Sequence, residues 1–215
     1  MSRPPVLVRG DSAFYRLVRG ALALTLAPAH RIEAHGVEYL PSSGPALIAV
    51  NHKSDVDPFY VGICFRRPLR FLAKAELFDN RVIGWVVGHL GSIPLRRGES
   101  DRRALEASLA CLASGDALLV FPEGTRFDDD AIHPFQPGIG MLALRSGAPV
   151  VPAAVVGTRR ALRGRPPRFT KVRVLVGPPV DLSGLEGRRS VTYTGATERI
   201  ERAVTEIHER LTAEG

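Results

Sequence analysis

The sequence predicts an α/β fold: a single domain with a central mixed, largely parallel sheet flanked by helices, preceded by an N-terminal amphipathic helical segment. The 215 residues suit one domain with a sizeable core. Hydrophobic residues at 45% and charged residues at 24% are typical of globular proteins and argue against a disordered or collagen-like chain. From Pro45 onward, short apolar runs alternate with helical patterns, as they do in βαβ units.

Residues 1–30 form the first segment, in which apolar side chains follow a helical spacing. The stripe consists of Phe14, Leu17, Val18, Ala21, Leu22 and Thr25. It fits an amphipathic helix lying on a membrane surface, and equally a helix packed on the domain's own core. A signal peptide is the third interpretation, because Ala27-Pro28-Ala29 resembles a cleavage site after a short apolar run.

Residues 31–215 are expected to form the main domain. Five apolar runs have the length and composition of buried strands: residues 46–50, 69–73, 117–121, 150–156 and 172–176. Helices are expected between the strands. Two of them are marked by apolar residues at helical spacing: Leu105, Leu109 and Leu112 after Asp101, and Ile200, Val204, Ile207 and Leu211 near the C-terminus.

The chain is basic, because 29 lysine and arginine residues face 22 aspartate and glutamate residues, a formal charge of +7. This excess favours phosphate-bearing or anionic partners. Arginines cluster in an expected loop, which is either a solvated turn or a site for anionic head groups or cofactor phosphates: Arg159, Arg160, Arg163, Arg165 and Arg168. No aromatic residues are interleaved with them, so nucleic acid is not an expected partner.

Several other classes of protein and of active site lack support in the sequence. Cys64 and Cys111 have no CxxC spacing, which argues against a disulfide scaffold or a cysteine-based zinc site, and apolar neighbours suggest that Cys64 is an ordinary buried thiol. The chain has no run of 18 apolar residues that would predict a membrane span. It also lacks the motifs of serine hydrolases, P-loop nucleotidases and zincins. Residues 138–143 match G-x-G-x-x-A, but they follow an expected loop rather than a strand.

The first candidate site follows the first buried strand. His52 comes directly after that strand, at the edge where open α/β sheets place their ligands. A histidine there can take a proton from a hydroxyl at neutral pH, and a carboxylate on its other ring nitrogen would orient it. Asp57 and Asp55 are both candidates for that carboxylate. The spacing alone also fits a structural histidine.

A second strand leads into residues 122–126, which bring Glu123, Gly124, Thr125 and Arg126 to the same edge of the sheet. Glutamate and arginine can bind hydroxyls and a phosphate, and backbone amides near glycine can hold an oxyanion. A simple β-turn is the alternative. Between the two segments, residues 91–98 form a short strand-like piece that ends in paired arginines.

Together these segments resemble the glycerolipid acyltransferase family typified by 1-acylglycerol-3-phosphate O-acyltransferase. Its hallmark is N-H-x4-D, here Asn51 to Asp57, followed by F-P-E-G-T-R, here Phe121 to Arg126. Residues 150–154 resemble the family's apolar-proline block. The family's middle block ends in an acceptor-binding arginine, which maps onto Arg97. That arginine usually follows an aspartate, and this chain has Arg96 there, so Arg96 is the alternative.

The resemblance implies that residues 31–215 are an acyltransferase domain. It would move an acyl group from acyl-CoA or acyl carrier protein to the free hydroxyl of a lysophospholipid. The acceptor that the resemblance favours is 1-acyl-sn-glycerol-3-phosphate, and the product is then phosphatidic acid for phospholipid biosynthesis. No metal, cofactor or covalent acyl-enzyme is implied. His52 would be the general base and Asp57 its orienting carboxylate. The implied glycerol phosphate ligands are Arg97, Glu123, Gly124, Thr125 and Arg126.

A lipid substrate implies a peripheral position on an anionic membrane surface, at its cytoplasmic face. Two alternatives remain open. One is an acyltransferase for another lysophospholipid, a glycolipid or a lipid-linked amine, and the other is a non-catalytic lipid-binding protein on the same fold. The sequence leaves the acyl-chain length, the donor and the oligomeric state open.

Overall fold

The computed structural model describes residues 13–95, 101–161 and 170–213. The described residues form one seven-stranded sheet in the order β1-β7-β6-β2-β5-β3-β4. Its strands are β1 (Glu33–His35), β2 (Ala46–Val50), β3 (Leu69–Lys74), β4 (Ser92–Leu95), β5 (Ala117–Val120), β6 (Val150–Val156) and β7 (Arg173–Val176). Strands β2 to β6 run parallel, and β7 pairs with β6 in the antiparallel direction. The prediction of a mixed, largely parallel sheet is confirmed.

Helices cover both faces of the sheet. They are α1 (Ala13–His30), α2 (Asp57–Cys64), α3 (Arg81–His89), α4 (Asp101–Ala113), α5 (Gly138–Ser146), α6 (Thr158–Ala161) and α7 (Arg189–Ala213). The helices predicted at α1, α4 and α7 are confirmed. Short 3-10 helices occupy Val37–Tyr39 and Ala75–Phe78.

The central strand explains why the predicted apolar runs are continuous. All five residues of β2 are fully buried, because β6 and β5 flank the strand and helices cover both of its faces. Ile48 and Val50 pack into the core layer on the side of α2, whereas Leu47 and Ala49 pack into the layer beneath α4, α5 and α7. The core therefore has two layers, with the sheet between them.

Helix α1 packs on the domain, but only part of the predicted stripe takes part in the contact. Leu17 is 70% exposed, and Ala21 and Thr25 are exposed as well. On the domain side, Tyr15 is buried, Leu26 packs against the core, and Phe14 of the predicted stripe contacts Trp85. The predicted stripe is therefore divided between the domain and solvent.

Two polar contacts also join α1 to the domain. The Arg19 guanidinium donates a hydrogen bond to the Ile63 carbonyl of α2 at 3.1 Å. The Tyr15 hydroxyl accepts the Leu69 backbone N–H at the start of β3, at 3.4 Å. Helical spacing of apolar residues does not predict such contacts, because arginine is charged and tyrosine is only partly apolar.

The arginine cluster predicted in a loop is only partly described. Arg159 lies in the short helix α6 rather than in a loop, and it contacts Asp128 and Asp130. Arg163, Arg165 and Arg168 lie outside the described residues. Among the residues that are described, no helix combines the length and the apolar character that crossing a bilayer requires.

Candidate active site

Two loops meet at the carboxyl edge of the sheet. Strands β2 and β5 are parallel neighbours, with Ala49 opposite Val120. The segments that follow them therefore emerge side by side, although they are about 70 residues apart in the chain. A hydrogen bond of 2.8 Å joins the two segments, from the His52 backbone N–H to Glu123 Oε1. The sheet thus brings together the two motifs found in the sequence.

His52 is paired with Asp57. Its Nδ1 lies 3.0 Å from Asp57 Oδ2, and the same oxygen accepts the backbone N–H groups of Lys53 at 2.6 Å and Ser54 at 2.7 Å. Asp57 is completely buried and is the first residue of α2, so the helix N-terminus adds to the donors that stabilise its negative charge. Asp55 does not contact this pair, because it bonds Arg126 instead.

The imidazole of His52 faces a cleft of about 460 Å³. Its side chain is 18% exposed, and the ring stacks on Phe121 with a centroid separation of 4.0 Å. A carboxylate can only accept, so Nδ1 of the neutral ring carries the proton that bonds Asp57. Nε2 then keeps its lone pair. The ring can therefore accept a proton from a ligand in the cleft.

Gly124, Thr125 and Arg126 also line this cleft. Arg126 pairs with Asp55 at 2.5 Å, and both side chains are substantially exposed, so this ion pair adds little stability and can be exchanged for a ligand anion. Gly124 has a φ of +73°, and a Cβ there would lie 3.1 Å from the Gln136 side chain. Both the backbone conformation and the space therefore favour glycine.

Glu123 differs from the expectation that it binds substrate. Its side chain is buried, and protein donors already occupy both of its oxygens. Oε1 accepts the N–H of His52, while Oε2 accepts the N–H of His133 at 3.3 Å and lies 3.5 Å from Lys53 Nζ. The carboxylate is thus used to hold the two loops together.

Lys53 completes this buried cluster and is a residue whose role the sequence does not reveal. Its side chain is 3% exposed, and the ammonium also donates to the Ala131 carbonyl and lies 3.9 Å from Asp129. In sequence it is a charged residue beside a histidine, which normally predicts a solvated side chain. Only the folded loops surround it with acceptors.

Asn51 is the second such residue. It is fully buried, its Oδ1 accepts the Val155 backbone N–H at 2.8 Å, and its Nδ2 donates to the Val155 carbonyl at 2.9 Å. The side-chain amide thereby continues the pairing of β2 with β6 for one position beyond the end of β2. This contact fixes the direction in which the chain leaves the sheet toward His52.

Lys74 is a cationic group of the cleft that the sequence analysis did not single out. It is the last residue of β3, the neighbour of β5. Its position at the carboxyl end of a predicted strand was the signal that could have identified it. Strand β4 ends at Leu95 on the same edge, beside Lys74, whereas Arg96 and Arg97 lie outside the described residues.

The positions of the other His, Cys, Asp and Glu side chains bear on metal and thiol chemistry. In the described part of the chain, no group of three or more His, Cys, Asp or Glu side chains is arranged to hold a metal ion. Burial raises the pKa of the Cys64 and Cys111 thiols to about 12, so both are poor nucleophiles at neutral pH. Residues 138–143 begin helix α5 after a loop, which is not the strand context of a dinucleotide site.

The chain is similar to known acyltransferases. A family model described as Acyltransferase matches residues 31–156. The chloroplastic 1-acyl-sn-glycerol-3-phosphate acyltransferase BAT2 of Brassica napus is 32% identical over 143 residues, which are 65% of this chain and 41% of that protein. The chain thus spans about two fifths of that plant relative. The 1-acyl-sn-glycerol-3-phosphate acyltransferase of Bacillus subtilis is 25% identical over 92% of this chain and 98% of its own length.

A solved structure extends the similarity to the fold. The crystal structure of the 1-acyl-sn-glycerophosphate (LPA) acyltransferase PlsC from Thermotoga maritima superimposes with a TM-score of 0.69 at 26% sequence identity. The match covers 90% of this chain and 78% of that one. The family model covers more than half of the 215 residues, and its range includes both loops that meet beside His52. The chain therefore belongs to the acyltransferase family.

Proposed function

We propose that the protein transfers a fatty acyl group from an acyl thioester to the free hydroxyl of a lysophospholipid, with 1-acyl-sn-glycerol-3-phosphate as acceptor and phosphatidic acid as product. The observation that carries the proposal is the His52–Asp57 pair, which faces a cleft that also contains Lys74 and Arg126. A base beside two cations suits a hydroxyl substrate that bears a phosphate. The printed names of the relatives support the same reaction.

His52 acts as general base in this reaction. Nε2 accepts the proton of the acceptor hydroxyl while the oxygen attacks the thioester carbonyl carbon. The tetrahedral intermediate then collapses, the carbon–sulfur bond breaks, and the leaving sulfur takes the proton from His52. Asp57 holds the ring through Nδ1 and stabilises the imidazolium between these two proton transfers.

The oxyanion of the intermediate needs donors that the fold has not already used. The backbone N–H groups of His52, Lys53 and Ser54 bond carboxylates, and that of Gly124 bonds the Phe121 carbonyl. We assign this role to Thr125, which lines the cleft together with His52 and offers its backbone N–H and its hydroxyl as donors.

The phosphate of the acceptor is bound by Arg126 and Lys74. Arg126 exchanges Asp55 for the phosphate, since a planar guanidinium matches its oxygens with two parallel hydrogen bonds. Arg97 remains a further candidate for this role. Glu123 acts instead as a positioning residue, because its carboxylate bonds the backbone of His52.

The protein works as a peripheral enzyme on the cytoplasmic face of a membrane, where acyl-CoA and acyl carrier protein are available. A formal charge of +7 favours an anionic surface, and α1 exposes Leu17 and Leu24 to the outside of the domain. Phospholipid substrates are themselves part of that surface.

The test is acyl transfer to lysophosphatidic acid in anionic vesicles, with palmitoyl-CoA and palmitoyl-acyl carrier protein as alternative donors. We expect His52→Ala to lower kcat by about 10²–10⁴-fold, the usual contribution of a general base. His35→Ala is the matched control, because that histidine is exposed on the edge strand β1.

Undiminished turnover by His52→Ala would refute the mechanism. Vesicle binding by the wild type without turnover from either donor would instead favour the non-catalytic lipid-binding alternative. Comparison of the two donors decides between acyl-CoA and acyl carrier protein.

A further inference from the structure

An aromatic ring covers one face of the His52 imidazole. The rings of His52 and Phe121 are stacked, with their centroids 4.0 Å apart and their planes inclined by 22°. Phe121 is half-buried and lines the same cleft as His52. Asp57 contacts the imidazole at its edge, through the hydrogen bond of Nδ1. The carboxylate and the phenyl ring therefore hold the imidazole from two different directions.

The pairing of two strands explains this stack. Strands β2 and β5 are parallel neighbours, so the residues that follow them leave the sheet side by side. Val50 and Leu119 belong to the core layer on the side of α2, and Phe121 packs against the same layer. Because side chains alternate along an extended chain, His52 and Phe121, each two positions further on, are directed to that side as well. Pro122 keeps Phe121 in the extended conformation.

Such a stack distinguishes between the two protonation states of a histidine. The faces of a phenyl ring carry partial negative charge, and a cation within about 6 Å of the ring centroid is attracted to them. The positive charge of a protonated His52 would lie within this distance, since the two centroids are 4.0 Å apart. The His52 side chain is only 18% exposed, so water screens this attraction only in part. Phe121 thus favours the imidazolium over the neutral ring.

We propose that Phe121 is a positioning residue that stabilises the protonated His52 during acyl transfer through the face of its ring. This inference rests on the proposed function, in which Nε2 takes the proton of the acceptor hydroxyl and returns it to the leaving sulfur. His52 carries the positive charge only between these two transfers. The attraction to Phe121 therefore lowers the barrier of the reaction and does not strengthen the binding of the substrates.

The experiment replaces Phe121 with mono-, di- and trifluorinated phenylalanine and measures kcat and the KM for lysophosphatidic acid. Fluorine withdraws negative charge from the faces of the ring and changes its size little. We expect log kcat to fall in proportion to the number of fluorine atoms, by about 5–30-fold in all, while KM changes by less than about twofold. Phe121→Leu removes the ring face and should lower kcat at least as much. If this variant does not fold, the fluorinated proteins decide the question.

The same fluorinated series at Phe127 is the matched control. Phe127 is also half-buried and also stacks on a histidine, His133, with the centroids 3.5 Å apart. Neither of these two rings lines the cleft that contains His52. Fluorination of Phe127 should therefore leave kcat unchanged. An equal decline of kcat in both series would overturn the proposal, because the effect would then not depend on the ring that covers His52.

A second measurement needs no turnover, so it separates this proposal from the reaction itself. The NMR signal of the proton on Cε1 of His52 follows the protonation of the ring in the protein without substrates. A weaker attraction to the imidazolium should move the midpoint of this titration to lower pH, by about 0.7–1.5 pH units in the trifluorinated protein. This shift would support the role of Phe121 even if lysophosphatidic acid were not acylated.

Two results would refute the role of Phe121. One is a titration midpoint and a kcat that do not change with the number of fluorine atoms, since the ring would then only fill space beside His52. The other is a rise in the KM for lysophosphatidic acid at constant kcat, because the ring would then act on the bound acceptor and not on the imidazolium.

Discussion

Replacing Glu123 with glutamine tests whether this carboxylate holds the protein or the substrate. The substitution keeps the size of the side chain but removes its charge. One amide oxygen can still accept the His52 N–H, yet the new NH₂ group would then face Lys53 and the His133 N–H, which are both donors. The buried ammonium of Lys53 would lose its closest carboxylate, leaving the exposed Asp129 at 3.9 Å.

The cost follows from the burial of this pair. The side chains of Lys53 and Glu123 are 3% and 0% exposed, and breaking a buried ion pair from one side typically costs about 3–5 kcal/mol. For a chain of this size, such a loss lowers Tm by about 6–20 °C. Lys53→Met should cost a similar amount, because it leaves Glu123 charged and buried. The double variant should cost less than the sum, by at least about 1 kcal/mol.

The assay combines urea unfolding of the four proteins in this double-mutant cycle with steady-state kinetics. A positioning role predicts that Glu123→Gln lowers kcat through the shifted His52 and changes the KM for lysophosphatidic acid by less than about threefold. Direct binding of the acceptor predicts the opposite pattern. A Glu123→Gln variant of normal stability with a strongly raised KM would refute the positioning role.

Two further predictions concern buried polar groups. Asn51→Ala removes both hydrogen bonds to Val155, so we expect urea unfolding to show a loss of about 2–4 kcal/mol, since each unpaired backbone group costs about 1–3 kcal/mol. A loss below about 1 kcal/mol would contradict the stabilising role of the two hydrogen bonds between Asn51 and Val155. Burial, with a smaller effect of Lys53, lowers the pKa of His208 below its usual 6.5. The unfolded chain then binds the proton more readily. The free energy of unfolding should therefore decrease as the pH is lowered below about 6.5, by at most about 1.4 kcal/mol per pH unit. His208→Gln should flatten this slope in urea unfolding between pH 7 and 5, and an unchanged slope would exclude the contribution of His208.

Much of the fold could be predicted because strands and long helices leave local patterns. The five apolar runs became strands within one residue of their expected bounds, and α4 and α7 follow their apolar spacing. Strand β1 has only three residues, of which Glu33 and His35 are exposed, so it carries no apolar run. Helix α2 has only eight residues, and Tyr60 and Val61 are buried in it. The segment is too short and too apolar to show a helical alternation of apolar and polar residues.

The sequence by itself determined which residues reach the carboxyl edge of the sheet, because strands and the turns after them are encoded locally. It placed His52, Asp57 and residues 123–126 there. Only the tertiary structure decided what each side chain does. The parallel pairing of β2 with β5 turned Glu123 inward to the backbone of His52 and left Arg126 with Asp55. Contacts between residues about 70 positions apart depend on strand order and register, and a local pattern contains neither.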